Sequence, residues 1–169
     1  MTSPEPLHTR ILQTFRFEVT FTRSPSSGAA PAQERFAEGS FQECSGLELE
    51  ADIREYLEGG RNDGIIRRVG RVKLQPITLK RGLFTTAAGR TANTEMWDWL
   101  QGMVAGVLPV PRYDGFITVK DPATEEPRAT WRFERGLPQK VSGPTLNAKT
   151  GEIAIEELHI VHEGLRMGP

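Results

Sequence analysis

Residues 15–22 read FRFEVTFT, with Phe15, Phe17, Val19 and Phe21 in one phase and Arg16, Glu18, Thr20 and Thr22 in the other. Successive side chains of a strand point to opposite faces, so this unbroken alternation predicts a half-buried β-strand. Period-two stretches recur along the chain and helical periodicity occurs only once, which makes the predicted fold mainly β with one α-helix. At 169 residues the chain has the length of a single domain spanning 1–169. With 25% charged and 37% hydrophobic residues, its composition is that of a folded chain and excludes wholesale disorder.

After the first strand, Ser24 to Glu34 is rich in Ser, Pro, Gly and Ala and predicts a flexible inserted hairpin loop. RFAEGSFQECSG predicts a second strand with Gly39 as a bulge site. LELEADIREYLEG then places Leu47, Leu49, Ala51 and Ile53 on one face and Glu48, Glu50, Asp52 and Arg54 on the other. GGRNDGIIRRVG carries four glycines and neither period, so residues 59–71 are expected to form an extended arm; irregular connections of this length tend to be functional. VKLQPITLKRG predicts a strand whose apolar phase slips at Pro76, at an edge or a bulge. In the one helical stretch, Asn93 or Thr94 offers an N-cap, and Met96, Leu100, Met103 and Val107 form a stripe widened by Trp97 and Val104. Pro109 and Pro111 end it. Strands are expected at GFITVK, RATWRFER, around KVSG and at GEIAIEELHIVHE, the last with a bulge near Glu156 and Glu157.

Chemical equipment is not evident, so no catalytic, cofactor-binding or metal-ligating residue is assigned and an enzyme is not expected. The glycines of GGRNDGII lack the Lys and Ser or Thr of a phosphate-binding loop. His159 and His162, three apart on a strand, point to opposite faces and cannot share one ion. Glu156 and Glu157 diverge likewise and are expected to be solvated. Cys44 has no His near it in sequence and reads as a small buried thiol. Trp97 and Trp99, two apart on a helix, should face opposite ways, which leaves two readings open: Trp99 outward as an interface anchor, or both packed under neighbouring loops. Lys plus Arg number 21 against 22 Asp plus Glu, which does not draw the whole chain toward nucleic acid or a membrane. A polar N-terminus, one cysteine and no long apolar run give the expectation of synthesis in the cytoplasm without a signal peptide or stable membrane anchoring.

Charge is partitioned between neighbouring segments. Residues 48–58 hold five acidic groups and one basic, whereas 61–81 hold seven basic and one acidic. Internal salt bridging would account for this, and so would a basic arm reaching an acidic surface on another copy.

FRFEVTF, the run from FQECSGLELEADIREYLEGG to LKRG, the helix MWDWLQG, and WRFERGLPQKVSGPTLNAKTGEIAIEELHIVHEGL occur in one order from Phe15 to Leu165. Together they resemble the tail-tube protein family of contractile phages, bacteriocins and contractile injection systems. The resemblance implies a β-sandwich or barrel-like domain with a flanking helix. It also implies homo-hexameric rings whose sheets join around a channel and stack into a tube inside a contractile sheath. Implied partners are the sheath protein, baseplate and spike proteins, and a cargo effector or DNA in the channel; the implied location is a phage tail or phage-tail-like particle. The arm is expected to bind neighbouring subunits and rings through Tyr56, Glu58, Gly59, Gly60, Arg61, Asn62, Asp63, Arg67, Arg68 and Arg71. Glu48, Glu50 and Asp52 are expected to face the channel or the sheath. The Ser24–Glu34 loop is longer than usual for the family, which keeps open a specialised tube-initiating copy at the baseplate, and a non-stacking hexameric effector carrier or binding module is the remaining alternative.

Overall fold

The computed structural model describes residues 11–25, 36, 41–57, 59–60, 64–85, 91–149 and 151–168. Their elements are β1 (Phe17–Arg23), β2 (Phe41–Ser45), β3 (Leu49–Tyr56), β4 (Ile66–Leu74), β5 (Ile77–Gly82), α1 (Glu95–Val104), β6 (Tyr113–Lys120), β7 (Pro127–Ser142), β8 (Ile155–Val161) and β9 (Gly164–Gly168). The chain is mainly β with one helix, as the periodicity requires. The alternating stretch becomes β1, with Val19 and Phe21 buried. Most of the inserted loop, residues 26–34, lies outside the described residues, as does Gly39.

Seven strands form one antiparallel sheet in the order β1-β6-β7-β8-β5-β2, with β9 also paired to β7. β7 runs for 16 residues, its first part between β6 and β9 and its last part against β8. One continuous strand thus replaces the two expected around RATWRFER and KVSG. The strand expected at GEIAIEELHIVHE is β8, and β9, which periodicity did not indicate, follows it. The inner faces of both halves share one core: Val19, Phe21, Ile117, Phe133 and Leu165 meet Phe41, Ile77, Leu79, Leu158 and Ile160. This double layer is the predicted sandwich-like arrangement.

α1 joins that core by a different face from the one its periodicity suggested. Met96 and Trp99 are buried, while Val104 and Val107 are exposed. Trp99 packs edge-on against Tyr113, its ring centroid 5.0 Å away, and its indole N–H donates to the Pro111 carbonyl at 2.8 Å. It is therefore not an exposed anchor. A buried indole needs an acceptor, and the acceptor here is a backbone carbonyl that side-chain periodicity cannot register. At the helix start, Asn93 Oδ1 accepts the Glu95 N–H at 3.2 Å, whereas the Thr94 hydroxyl turns to Asp98 at 2.8 Å.

Glu156 is the second correction. β8 pairs with β5 in unbroken register, so no bulge lies at Glu156 and Glu157. Glu156 instead points inward in phase with Leu158 and Ile160 and is fully buried. There it accepts a hydrogen bond from Arg81 Nε at 2.6 Å and from Trp97 Nε1 at 3.2 Å, and Arg81 Nη2 donates to Asn93 Oδ1 at 3.0 Å. Arg81 is as buried as its partner and lies over the Phe41 ring. A charge sits at an apolar-phase position because its counter-charge arrives from a strand 75 residues away in sequence.

The remaining candidate groups are accounted for by local contacts. His159 Nδ1 lies 3.2 Å from the Thr78 hydroxyl and Nε2 meets Glu157, whereas His162 Nε2 donates to the Gln75 carbonyl at 3.1 Å. Among the described residues no group of three His, Cys, Asp or Glu is placed to hold a metal ion, and no helix is long and apolar enough to cross a membrane. Cys44 is half-buried, and burial, with the neighbouring Glu43 charge, pushes its thiol pKa up to about 12. Asp114 is buried at the start of β6. Burial alone would raise its pKa, but hydrogen bonds from the Arg135 N–H, the Ser24 hydroxyl and Arg132 outweigh it and hold the carboxyl below its ordinary value.

Replacing Glu156 by Gln leaves Arg81 as an uncompensated buried charge and is expected to cost about 3–5 kcal/mol in urea unfolding. Glu157→Gln, on the outer face, should cost less than about 1 kcal/mol; equal effects would show that burial is not what matters. Asp114 gives a pH signature. A carboxyl held low in the folded state contributes stability above its unfolded pKa, and that contribution is lost as pH falls through the folded value. The stability gap between wild type and Asp114→Asn should therefore narrow below about pH 4. A gap that stays constant from pH 7 to pH 3 would count against this ionic role.

Candidate assembly surface

β3 and β4 form a separate two-stranded antiparallel sheet. Both strands continue the β2–β5 pair: Ser45 lies opposite Thr78 in the main sheet, and Leu49 opposite Leu74 in the ribbon. The junction is made by Gly46, at φ +83°, and by Gln75–Pro76. A Cβ on Gly46 would overlap the Pro76 carbonyl, so glycine is required where the two chains cross. The bond from His162 Nε2 to the Gln75 carbonyl fixes this root to the β8 side of the body.

The expected aperiodic arm is therefore half strand. β4 starts at Ile66, and its alternation is hidden by a bulge: Ala51 opposes Val72 and Ile53 opposes Val69, so Gly70 and Arg71 together face Asp52. A Cβ on Gly70 would come within 2.8 Å of the Asp52 carbonyl oxygen. The extra residue brings Val69 and Val72, three apart in sequence, onto one face. Residue spacing alone assigns them to opposite faces, which is why neither was singled out.

Directly paired residues share a face, so the register separates the ribbon into two surfaces. One carries Leu49 with Leu74, Ala51 with Val72 and Ile53 with Val69, and ends at the ion pair of Arg67 with Glu55, 3.1 Å apart. The other carries Glu50 with Lys73, Asp52 with Arg71, Arg54 with Arg68, and Tyr56, over whose ring the Arg68 guanidinium lies at 5.1 Å. Most of the acidic segment and Arg67, Arg68, Arg71 and Lys73 of the basic one are thus the two strands of one ribbon, with part of their charge matched internally, whereas Lys80 and Arg81 belong to β5. The apolar surface is uncovered: Val69 is 73% and Val72 59% exposed, and Leu49 and Ile53 are exposed as well.

Of the residues assigned to the arm, Tyr56, Gly59, Gly60, Arg67, Arg68 and Arg71 fall on the ribbon or its turn. Glu58, Arg61, Asn62 and Asp63 lie outside the described residues. Glu50 and Asp52 sit on the polar surface of β3, and Glu48 in the turn that precedes it.

One family model matches the sequence that forms this sheet and ribbon. The description of that model is T4-like virus tail tube protein gp19, and it aligns with residues 13–166. The chain belongs to this family. It is a structural subunit of a tail tube. Solved structures share the fold of this tail tube protein. One is from the sheath–tube complex, in the extended state, of the extracellular contractile injection system PVC (23% identity, 94% of this chain and 91% of that chain, TM-score 0.72). Another comes from the tube-terminating cap of the anti-feeding prophage (21% identity, 99% and 97%, TM-score 0.75). A third comes from the baseplate of the anti-feeding prophage, six-fold symmetrised (20% identity, 99% and 97%, TM-score 0.69). No curated protein sequence matches the chain.

Because the tail tube ribbon has its own register and little contact with the core, a fault in the bulge should stay local. Gly70→Val is expected to abolish hydrogen-exchange protection in residues 49–56 and 66–74 while shifting urea unfolding of the body by no more than about 0.5 kcal/mol. A global loss of stability would show that the ribbon is part of the core.

Proposed function

We propose that this chain builds the inner tube of a contractile, phage-tail-like particle as homo-hexameric rings stacked around a channel. The observation that carries the reading is the ribbon. An isolated two-stranded hairpin is marginal in water and gains stability by packing its apolar face on another surface. In a self-assembling tube that surface belongs to a neighbouring copy, so β3–β4, with Tyr56, Gly59, Gly60, Arg67, Arg68 and Arg71, forms the assembly arm, to which the sequence reading also assigns Glu58, Arg61, Asn62 and Asp63. With the apolar surface seated, the polar one bearing Glu50 and Asp52, with Glu48 at its base, turns to the channel or the sheath. Sheet edges β1, β2 and β9 supply further backbone donors and acceptors that pairing between subunits would satisfy.

Solved structures of similar fold come from a sheath–tube complex, a tube cap and a baseplate, which supports sheath and baseplate proteins as partners; spike proteins, and a cargo effector or DNA in the channel, belong to the proposal alone. The role is passive: sheath contraction drives the tube outward, and no step requires a catalytic residue.

Negative-stain electron microscopy of the purified protein should show rings and tubes. Val69→Asp combined with Val72→Asp places two carboxylates on the apolar surface and should reduce tube yield at least about tenfold, each 1.4 kcal/mol lost being tenfold in association, with an unchanged thermal melt of the body. Dispersed monomers of the wild type across salt and concentration would sink the proposal.

A further inference from the structure

β5 and β8 pair in unbroken register, from Gly82 with Ile155 to Ile77 with Ile160. Carried two residues further, that register sets Gln75 opposite His162. The backbone ladder does not reach them, because Pro76 has no N–H to give and the ribbon begins on the far side of Gln75. A side chain takes over where the ladder ends. His162 Nε2 lies 3.1 Å from the Gln75 carbonyl oxygen. A carbonyl can only accept, so Nε2 carries the proton. The ring packs on the fully buried Phe133, centroids 5.9 Å apart, and its Nδ1 is buried without a hydrogen-bond partner. Among the described residues the Gln75 carbonyl is thus the one polar group that this imidazole bonds.

The ribbon depends on such a contact for its direction. No strand of the main sheet pairs with β3 or β4, and the two chains that join ribbon to body cross at Gly46 and Pro76. A single crossing leaves the ribbon free to swing about it. On the body side, the bond to the carbonyl orients the planar Gln75–Pro76 peptide, and the locked φ of proline carries that orientation into β5. On the ribbon side, the Gln75 amide donates from Nε2 to Glu50 Oε2 of β3 at 3.4 Å. One residue therefore holds the body through its backbone and the ribbon through its side chain.

We infer that His162 and Gln75 form a strut that holds the ribbon at a set angle to the body before a second copy binds. This rests on the reading of the ribbon as the assembly arm. The effect on assembly is preorganisation. A freed ribbon occupies the seating orientation for only part of the time, and apparent affinity falls by that fraction. Ordering a loose segment on association adds to the cost of binding. Losing the strut should raise the concentration at which tubes form while leaving the surfaces that meet unaltered.

The test places nitroxide labels on Arg54→Cys in the ribbon and Lys140→Cys in the body, both exposed, in a full chain carrying Cys44→Ser. Distances are measured by electron spin resonance below the concentration at which tubes form, and one narrow distribution is expected. His162→Leu keeps apolar bulk against Phe133 and removes the donor. It should broaden the distribution and raise the concentration for tube formation at least about fivefold, as for a ribbon correctly oriented a fifth of the time or less. The thermal melt of the body should not move. His162→Gln returns an N–H donor and should restore both readouts. Gln75→Leu keeps the carbonyl, loses the bond to Glu50 and should broaden the distribution less than His162→Leu does. A narrow distribution in the His162→Leu chain, or a broad one in the parent, overturns the strut and leaves the arm untouched. A fall in the melt that accounts for the lost tubes makes His162 a core residue and also overturns it. Broadening with tubes at the parent concentration overturns the preorganisation. A parent chain that forms no tubes removes the arm, while the distances still decide the strut.

Discussion

Arg81 and Glu156 meet inside the protein with no exposure to water, and much of the body is arranged around them. Arg81 belongs to β5 and Glu156 to β8, so the pair fixes one strand register of the main sheet. Trp97, donating to the second carboxylate oxygen, and Asn93, accepting from the guanidinium, bring the start of α1 to the same point. A buried ion pair contributes little net stability compared with apolar packing, but losing either partner is severe. Its consequence is specificity: alternative registers of β5 against β8 would strand a charge in the core.

The body and the ribbon follow opposite rules. Within the body, apolar faces are covered by the chain itself: Phe133, Ile77, Leu79, Leu158 and Ile160 are fully buried. On the ribbon, a face of comparable character is left open, and its two strands are stitched by backbone pairing and by ion pairs such as Arg67 with Glu55. A chain that assembles into a tube has reason to keep that surface for its neighbour, since association draws on the same burial of apolar area that folding does. The charges on the opposite face keep the unassembled ribbon hydrated. Mixed charge sign along it also limits indiscriminate pairing, because a misplaced copy brings like charges together.

Legibility in the sequence followed the range of the physics involved. Period two in FRFEVTFT and in YDGFITVK is a local consequence of backbone geometry and was readable directly. The glycines between 59 and 70 visibly interrupt both periods, yet the strand β4 that begins among them was not legible. The bulge at Gly70 exists only opposite Asp52, so the phase that unites Val69 with Val72 depends on a partner strand. The sequence left Trp99 open between an exposed and a packed position for a similar reason: the Pro111 carbonyl that satisfies its indole is set by the return of the chain into β6. Glu156 looked solvated because a carboxylate is normally kept in water, and its counter-charge comes from distant Arg81.

By itself the sequence determined the β-rich class, the single helix among the described residues and the order of most strands. These rest on side-chain periodicity and on the backbone limits of Gly and Pro, which act over a few residues. Only the tertiary structure decided which of those faces are covered. It paired the acidic segment with Arg67, Arg68, Arg71 and Lys73 in one amphipathic ribbon, and put Glu156 inside and Val69 outside. Burial and pairing are properties of surfaces brought together across the whole chain, and no local pattern carries them.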